Sequence, residues 1–574
     1  MFDQLYMAGL FALLVACLVL TRWKAVWIFV CAMLMSYFAG LVSTEEVLDK
    51  ASNTGVMTLI LLLLASIGLE KLSWLSRLSG KLITTSYISS VLRLGFVTAF
   101  FSAFVNNTAV VATLTHAVRT NRSHPAAKLL MPLSFAAILG GTMTLIGTST
   151  NLIVSSFLED ATGQGLAFFD FLAVGATVTV LGMVAILLGT RLLPEGRAET
   201  IDINEYVIEA EVSADSSLIG KSILANKLRD LEDLFLVEIV RGAHLISPVT
   251  PYEFIEAGDK LIFSGDIKQL EALQEFDGLS LFALEEGLLR ENMMEVIVMP
   301  NAAIEGKTVK ESAFRSVFDA AVVGMRRGGK RLSGKLGNIT IEAGDNMMLA
   351  VGPDFNERKN LDKNFVVIDD SVVEARTTSL QNYLVTATLV VVIALASMDI
   401  VPLIKGIAFL LVVMLALRVV KASELRRRFP FELWLIIASA LTLSTAMSNS
   451  GLVTLLADAL HQNLAVLGPY AAVAGIYLGT LVLTETMTNN AAAALSFPIA
   501  YGLAESYGIN PMPFVMAVAY GASASFLTPY GYTTNLMVQN LGGYAFRDYF
   551  RAGLPLSIVY SVTVIAMIPM IFPF

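Results

Sequence analysis

Val105-Asn106-Asn107-Thr108-Ala109 and, further along, Gly147-Thr148-Ser149-Thr150-Asn151-Leu152-Ile153-Val154 are two polar interruptions in strongly apolar sequence. A second pair has the same order: Thr488-Asn489-Asn490-Ala491, then Gly531-Tyr532-Thr533-Thr534-Asn535-Leu536-Met537-Val538. From Asn107 to Asn151 is 44 positions, and from Asn489 to Asn535 is 46. Shared order at nearly shared spacing points to a duplicated unit. Unpaired Asn, Thr, Ser and backbone groups cost several kcal/mol in hydrocarbon, so these interruptions belong where the backbone opens onto a cavity.

Working outward, the surroundings are those of a membrane protein. Hydrophobic residues make up 55% of the 574 and charged residues only 15%, with a mean hydropathy of +0.69. Met7–Leu20, Ala25–Val42, Val56–Leu69, Phe169–Leu188, Tyr383–Ala396 and Ser557–Phe572 are, with their flanks, apolar runs that suit a crossing of about 20 residues. The first run has no basic n-region or small-residue cleavage site and reads as a retained span. From about Arg197 to Arg376 the sequence turns charged and globular, which divides the chain into repeat 1 (1–196), a soluble insert and repeat 2 (377–574).

Lys and Arg are retained on the cytoplasmic side, and they set the orientation. Arg22 and Lys24, Lys71, Arg77 and Lys81, Arg191, and Arg426, Arg427 and Arg428 all fall inside if the N-terminus is outside. The first Asn-Asn segment is flanked by Arg93, Arg119, Arg122 and Lys128, whereas no Lys or Arg occurs between Arg428 and Arg547. The first hairpin is therefore expected to enter from the cytoplasm and the second from outside. Each half then has three spans, a re-entrant hairpin, a broken span and a final span. Five crossings per half is odd, so the halves are inverted. The expected fold is a polytopic α-helical membrane protein of two inverted repeats, in the inner (plasma) membrane, with residues 197–376 cytoplasmic.

A hairpin tip frees helix-terminal N–H groups that suit an anion, while loop carbonyls and Asn or Ser oxygens suit a bare cation. No Lys or Arg lies inside the four motifs, so amides, hydroxyls, helix dipoles and a nearby sodium ion would hold an anion's charge. Glu485, beside the second Asn-Asn, is either a cation or proton-coupling group or a structural carboxylate bonded to hairpin amides.

These motifs resemble the paired Ser-Asn-Thr signatures and Gly-Thr-Pro-Pro-Asn-type loops of the divalent anion/sodium symporter (DASS) family. The resemblance covers both membrane halves. It implies substrate binding by Asn106, Asn107, Thr108, Thr488, Asn489 and Asn490. It implies one sodium site at Ser102, Asn106, Asn107, Gly147 and Asn151, and another at Thr484, Thr488, Asn489, Gly531 and Asn535. It also implies a homodimer with elevator-type movement. Asn106 stands where Ser is usual, Asn490 where Thr is usual, and both loops lack Pro-Pro. The Ser-Thr-Asn and Thr-Thr-Asn loops look more like the sulfate-type branch, which carries soluble inserts, so sodium-coupled sulfate uptake is favoured over di- or tricarboxylate uptake.

The insert has its own repeat. Gly220-Lys221-Ser222 precedes Ile255-Glu256-Ala257-Gly258-Asp259-Lys260 by 35 positions, and Gly306-Lys307-Thr308 precedes Ile341-Glu342-Ala343-Gly344-Asp345-Asn346 by the same 35. Alternating or clustered apolar residues predict strands at Tyr206–Val212, Leu234–Val240, Lys260–Ser264, Glu295–Met299 and Asn346–Val351, with a polar helix after each Gly-Lys-Ser/Thr. Two α+β modules are expected, 197–285 and 286–376. Asp215 and Asn301 stand where a P-loop needs its first Gly, so no nucleotide loop is read. The modules resemble TrkA C-terminal (RCK C-terminal) domains, which implies binding of a small-molecule regulator or dimer scaffolding.

Net charge −9 without a basic stripe excludes nucleic-acid binding, and no nucleophile–base or metal-ligand constellation suggests an enzyme. Cys17 and Cys31 both lie in apolar runs, so no disulfide framework is implied. A potassium channel or transporter is the rival that the insert raises, but no Thr-Val-Gly-Tyr-Gly filter is present.

Overall fold

The computed structural model describes the chain apart from residues 1, 22, 73–81, 122, 194–206, 229–233, 243, 247–248, 266–278, 283–292, 300–301, 328–329, 333–335, 353–354, 356–360, 368–376, 399 and 465–467. The readings placed on Arg22, Arg77, Lys81, Arg122, Tyr206 and Asn301, and the boundaries at 196–197, 285–286 and 376, fall outside the described residues.

The first block comprises α1 (Phe2–Leu20), α2 (Ala25–Phe38), α3 (Thr44–Ala51), α4 (Thr54–Glu70), α5 (Tyr87–Ser102), α6 (Asn107–Thr120), α7 (Ala126–Gly141), α8 (Ser149–Thr162) and α9 (Leu172–Gly189). Among the described residues, the insert holds ten strands and two short α-helices, α10 (Phe314–Phe318) and α11 (Leu361–Asn364). The second block comprises α12 (Ser379–Ser397), α13 (Leu403–Ala416), α14 (Ala422–Arg427), α15 (Phe431–Asn449), α16 (Leu452–Leu464), α17 (Gly468–Thr486), α18 (Asn489–Tyr507), α19 (Met512–Ser523), α20 (Thr533–Gly542) and α21 (Phe546–Ile571). Among the described residues, six helical stretches are long and apolar enough to cross a bilayer. This is a multi-pass membrane protein. The apolar run Ala25–Val42 is not helical throughout: α2 stops at Phe38, and Gly40 takes a left-handed φ of 75° in the turn that follows.

The two blocks repeat their packing. Helix α5 lies on α7 as α17 lies on α19, α6 meets α7 as α18 meets α19, and α9 packs along α21. Helix α8 touches α19, and α20 touches α7. Every residue of α7 from Leu129 to Gly141 is buried, as is every residue of α19 from Pro513 onward, so these two form the centre of the bundle. Close approach there depends on missing side chains: a Cβ on Gly140 would stand 2.1 Å from the Ala99 carbonyl oxygen. Helices α8 and α20, of 14 and 10 residues, are roughly 21 and 15 Å long, too short to cross about 30 Å of hydrocarbon alone.

In the insert, β1 (Val207–Val212), β2 (Leu234–Arg241), β3 (His244–Ile246), β4 (Lys260–Gly265) and β5 (Leu279–Phe282) form one antiparallel sheet in the order β3-β2-β4-β1-β5. The strands β6 (Met293–Val298), β7 (Ala320–Arg327), β8 (Lys330–Arg331), β9 (Asn346–Val351) and β10 (Phe365–Val367) form the other, in the order β10-β6-β9-β7-β8. Read from the opposite edge, the second order is the first. Irregularities of register also correspond, at Leu236/Glu238 and at Val322/Gly324.

The Ile-Glu-Ala-Gly-Asp motif is the turn into the central strand. Gly258 and Gly344 take φ of 79° and 84°, and the fully buried carboxylates of Asp259 and Asp345 receive two bonds each, at 2.7–2.8 Å, from Arg241 and Arg327. Burial pushes the Asp345 carboxyl above the usual range against the pull of Arg327, whose own guanidinium is held more firmly protonated by that hydrogen bond. Among the described residues a helix after Gly-Lys-Ser/Thr appears in the second module alone: Ser222 opens a run of turns, whereas the turns after Thr308 lead into the short helix α10 (Phe314–Phe318). The Ser222 and Thr308 backbones bridge to Phe254 and Thr340, and that bridging keeps the segments against the sheet.

The second sheet is docked on the membrane block. At the C-terminal end of α6, Arg119 Nη1 lies 2.6 Å from Glu295 Oε2 on β6, and Asn346 Nδ2 donates to the other oxygen at 2.7 Å. Ile297 of β6 joins the apolar core of the membrane helices. Gly344 sits so close to α20 that a Cβ would come 2.9 Å from Leu536 and 3.0 Å from Asn540.

Candidate functional site

Four helices begin at the four polar motifs. Helices α6 and α18 start at Asn107 and Asn489, and α8 and α20 start at Ser149 and Thr533. The residue before each Asn caps its helix: Asn106 Oδ1 accepts from Thr108 N at 2.9 Å, and Thr488 Oγ1 accepts from Ala491 N at 3.4 Å. Thr148 and Tyr532, at the N-caps of α8 and α20, make no side-chain cap bond, so their first-turn amides keep their donors.

The two signatures are built alike. Asn107 and Asn489 are buried while Asn106 and Thr488 are exposed. Ser102 Oγ donates to Asn107 Oδ1 at 2.5 Å, five residues apart. Thr484 Oγ1 stands 3.0 Å from Asn489 Oδ1 at the same separation, and 2.7 Å from the Ala522 carbonyl. Each carboxamide therefore turns its oxygen to a hydroxyl one turn earlier and its NH2 away from it. The loops match too: Asn151 Nδ2 donates to Gly141 O at 3.4 Å and Thr144 O at 2.9 Å, and Asn535 Nδ2 donates to Ser525 O at 3.0 Å. Gly147 and Gly531 are where each loop folds back on that carbonyl residue. A Cβ there would come 2.4 Å from Gly141 O and 1.9 Å from Ser525 Oγ.

The motifs meet across the halves. Ser149 Oγ donates to Asn490 Oδ1 at 2.8 Å, Thr150 and Ser523 hydroxyls are 2.8 Å apart, and Ser134 Oγ donates to Asn535 Oδ1 at 2.7 Å. The Tyr532 hydroxyl lies 2.8 Å from Thr148 Oγ1, accepts from Asn107 Nδ2 at 3.3 Å and also meets the Asn489 side chain. Beside it lies a cavity of about 210 Å³. Ser66, Asn106, Asn107, Thr108, Thr148, Ser149, Tyr532 and Thr533 form its polar wall, and Ala65, Gly147 and Leu, Ile and Phe residues of the surrounding helices form the rest. Thr488, Asn489 and Asn490 are not on that wall; Asn489 and Asn490 reach the site through Tyr532 and Ser149. Of the expected sodium residues, Ser102 and Thr484 contact the buried carboxamides, and Gly147 also borders the cavity. Two hydroxyls of the second loop, Ser525 Oγ and Thr534 Oγ1, are buried and make no hydrogen bond within the chain.

Residues 9–519 match the family model described as citrate transporter, CitMHS. The chain belongs to that family. It is a secondary anion transporter of the CitMHS type and not an enzyme. It is 33% identical over 551 residues to a Chlamydomonas reinhardtii protein provisionally named a sulfur deprivation response regulator, covering 91% of this chain and 94% of that protein. It is 30% identical over 564 residues to the uncharacterized transporter sll0640 of Synechocystis, covering 93% and 91%. Similarity to sodium/sulfate cotransporter 2 of C. reinhardtii is partial, 29% over 370 residues, covering 62% of this chain and 42% of that protein.

One feature of this CitMHS site, Tyr532, was not legible as a role beforehand, and another, Glu485, was left between two. Tyr532 occupies the same loop position as Thr148, and laying the loops side by side would have marked it as the one bulky departure. The Glu485 carboxylate accepts from the amides of Phe526 and Leu527 at 2.9 Å each and of Thr528 at 3.1 Å. That geometry fits the structural alternative, a carboxylate that holds the chain where α19 ends.

Proposed function

We propose that the chain is a sodium-coupled importer of a small divalent anion, with sulfate favoured, working by elevator-type alternating access. The observation that carries the reading is the matched pair of buried carboxamides, Asn107 and Asn489. Their oxygens are turned to hydroxyls, the Asn107 NH2 donates to the Tyr532 hydroxyl, and the Asn489 side chain lies beside that same hydroxyl. Donors there suit an anion's oxygens. Neutral oxygens close by, including the spare hydroxyls of Ser525 and Thr534, suit sodium. Sodium travels as cargo and supplies the positive charge that the motifs lack. The partial likeness to sodium/sulfate cotransporters supports the same assignment.

In this reading the blocks are inverted repeats, the Asn-Asn segments are re-entrant hairpin tips, and α7–α8 and α19–α20 are broken spans. The insert is cytoplasmic, its modules are TrkA-C-like, and the protein works as a homodimer in the inner (plasma) membrane. The family description, citrate transporter, favours a second reading, sodium-coupled di- or tricarboxylate uptake at the same residues.

Uptake of labelled sulfate, succinate and citrate into proteoliposomes, with and without a sodium gradient, separates the readings. Sodium-dependent sulfate uptake that excess citrate leaves intact is expected. Sodium-independent uptake would remove the coupling. Asn107→Ala and Asn489→Ala should each abolish transport in folded protein, and full activity in both would refute the site.

A further inference from the structure

We infer that the Tyr532 hydroxyl is a built-in surrogate for one oxygen of the transported anion: it fills the donor site when substrate is absent and is displaced when substrate binds. The inference rests on the reading that anions bind at the Asn107 and Asn489 amides.

The donor count carries it. Asn107 Oδ1 is taken by Ser102, so its Nδ2 faces Tyr532 at 3.3 Å; the Asn489 side chain, its Oδ1 3.0 Å from Thr484 Oγ1, lies beside the same hydroxyl. A phenolic oxygen has two lone pairs and one proton. The N–H of Asn107 occupies one lone pair, and the Thr148 hydroxyl lies 2.8 Å away, where either oxygen can be the donor. One oxygen thus serves the buried Asn107 carboxamide and the Thr148 hydroxyl, drawn from two different motifs. A carboxylate or sulfate oxygen would want the same donors, and Thr148 can turn its hydroxyl to donate as well.

The surroundings fit displacement. Tyr532 is the N-cap of α20 and makes no cap bond there, so nothing but these polar contacts ties its hydroxyl. The adjoining cavity of about 210 Å³ is already lined by the exposed Asn106 and the half-buried Thr108. A volume near 150 Å³ admits a benzene-sized molecule, so there is room for an anion to arrive before the ring leaves. Without a surrogate, the buried Asn107 NH2 group would lose its Tyr532 acceptor in the empty protein, at a penalty comparable to a lost hydrogen bond. The opposite alternative is that Tyr532 is itself a ligand that donates to the bound anion.

Full-length protein and Tyr532→Phe, reconstituted in proteoliposomes with saturating sodium, distinguish the two through the KM for labelled sulfate, with labelled citrate as a parallel arm. A surrogate competes with substrate, so its removal should lower KM by roughly tenfold, the effect of one to two hydrogen bonds. An unchanged or raised KM in the variant, with wild-type uptake intact, overturns the inference and leaves the proposed function standing. If the wild type carries neither anion, the proposed function fails and takes this inference with it. Should Tyr532→Phe not reconstitute, 3-fluorotyrosine placed at Tyr532 gives the answer in the active protein. Its fluorine resonance should move when sulfate is added over sodium chloride, and a resonance unmoved at saturating sulfate overturns the inference.

Discussion

Ser102→Ala tests how the site separates its two cargoes. Ser102 is fully buried, and its hydroxyl lies 2.5 Å from Asn107 Oδ1, so together with Tyr532 on Nδ2 it fixes which end of that carboxamide faces which proposed ion. Removing it strands a buried acceptor, worth about 1–3 kcal/mol. It also removes an oxygen from the proposed sodium site. At about 1.4 kcal/mol per decade, half-saturating sodium should rise roughly five- to hundredfold. The maximal rate at saturating sodium should change little, because the anion-facing NH2 groups remain. Thr484→Ala should act in the same direction but more weakly on its carboxamide, since that contact is longer at 3.0 Å and the hydroxyl is shared with the Ala522 carbonyl. The assay is initial sulfate uptake against a sodium titration. A half-saturation within about twofold of wild type in Ser102→Ala would refute the argument that this hydroxyl orients Asn107.

Three further outcomes follow from the geometry. Gly147→Ala should abolish uptake, because the new Cβ would sit 2.4 Å from a backbone carbonyl oxygen at the loop, whereas Gly9→Ala, with nothing within 4 Å, should behave as wild type in the same proteoliposomes. Arg119→Ala leaves the buried Glu295 carboxylate with Asn346 alone and should destabilise docking of the second sheet by about 3 kcal/mol. Thermal unfolding across a double-mutant cycle with Glu295→Gln checks this, and strictly additive effects would show that the pair does not interact. Glu485→Gln should lower stability by about 1–3 kcal/mol, because an NH2 group would oppose backbone donors, while sodium dependence of uptake stays intact. Loss of sodium dependence in well-folded Glu485→Gln would instead place the carboxylate in coupling.

Much of the architecture is local and therefore readable along the chain. Apolar runs mark helices because the bilayer leaves backbone groups no partner outside the segment. The expected span Val56–Leu69 lies inside α4, and the strand expected at Asn346–Val351 coincides with β9. The four polar motifs coincide with four helix starts, at Asn107, Ser149, Asn489 and Thr533, since Asn, Thr and Ser at those points can cap a helix or open a loop. Where local patterning misled, a neighbour intervened. The runs after Gly-Lys-Ser and Gly-Lys-Thr look helical, yet both open as turns beside backbone bridges to Phe254 and Thr340, and among the described residues only Phe314–Phe318 is helical there.

By itself, then, the sequence determined that the chain is a membrane protein, that its polar motifs come in two matched pairs, and which residues supply uncharged donors and acceptors. These follow from hydropathy, spacing and residue chemistry, all local to the chain. Tertiary structure alone decided which way each carboxamide points. It brought Tyr532 within hydrogen-bonding distance of residues 384 and 425 positions away and set Glu485 against the amides of 526–528. A hydrogen bond's direction depends on what folds against it, and no pattern along one strand of sequence carries that information.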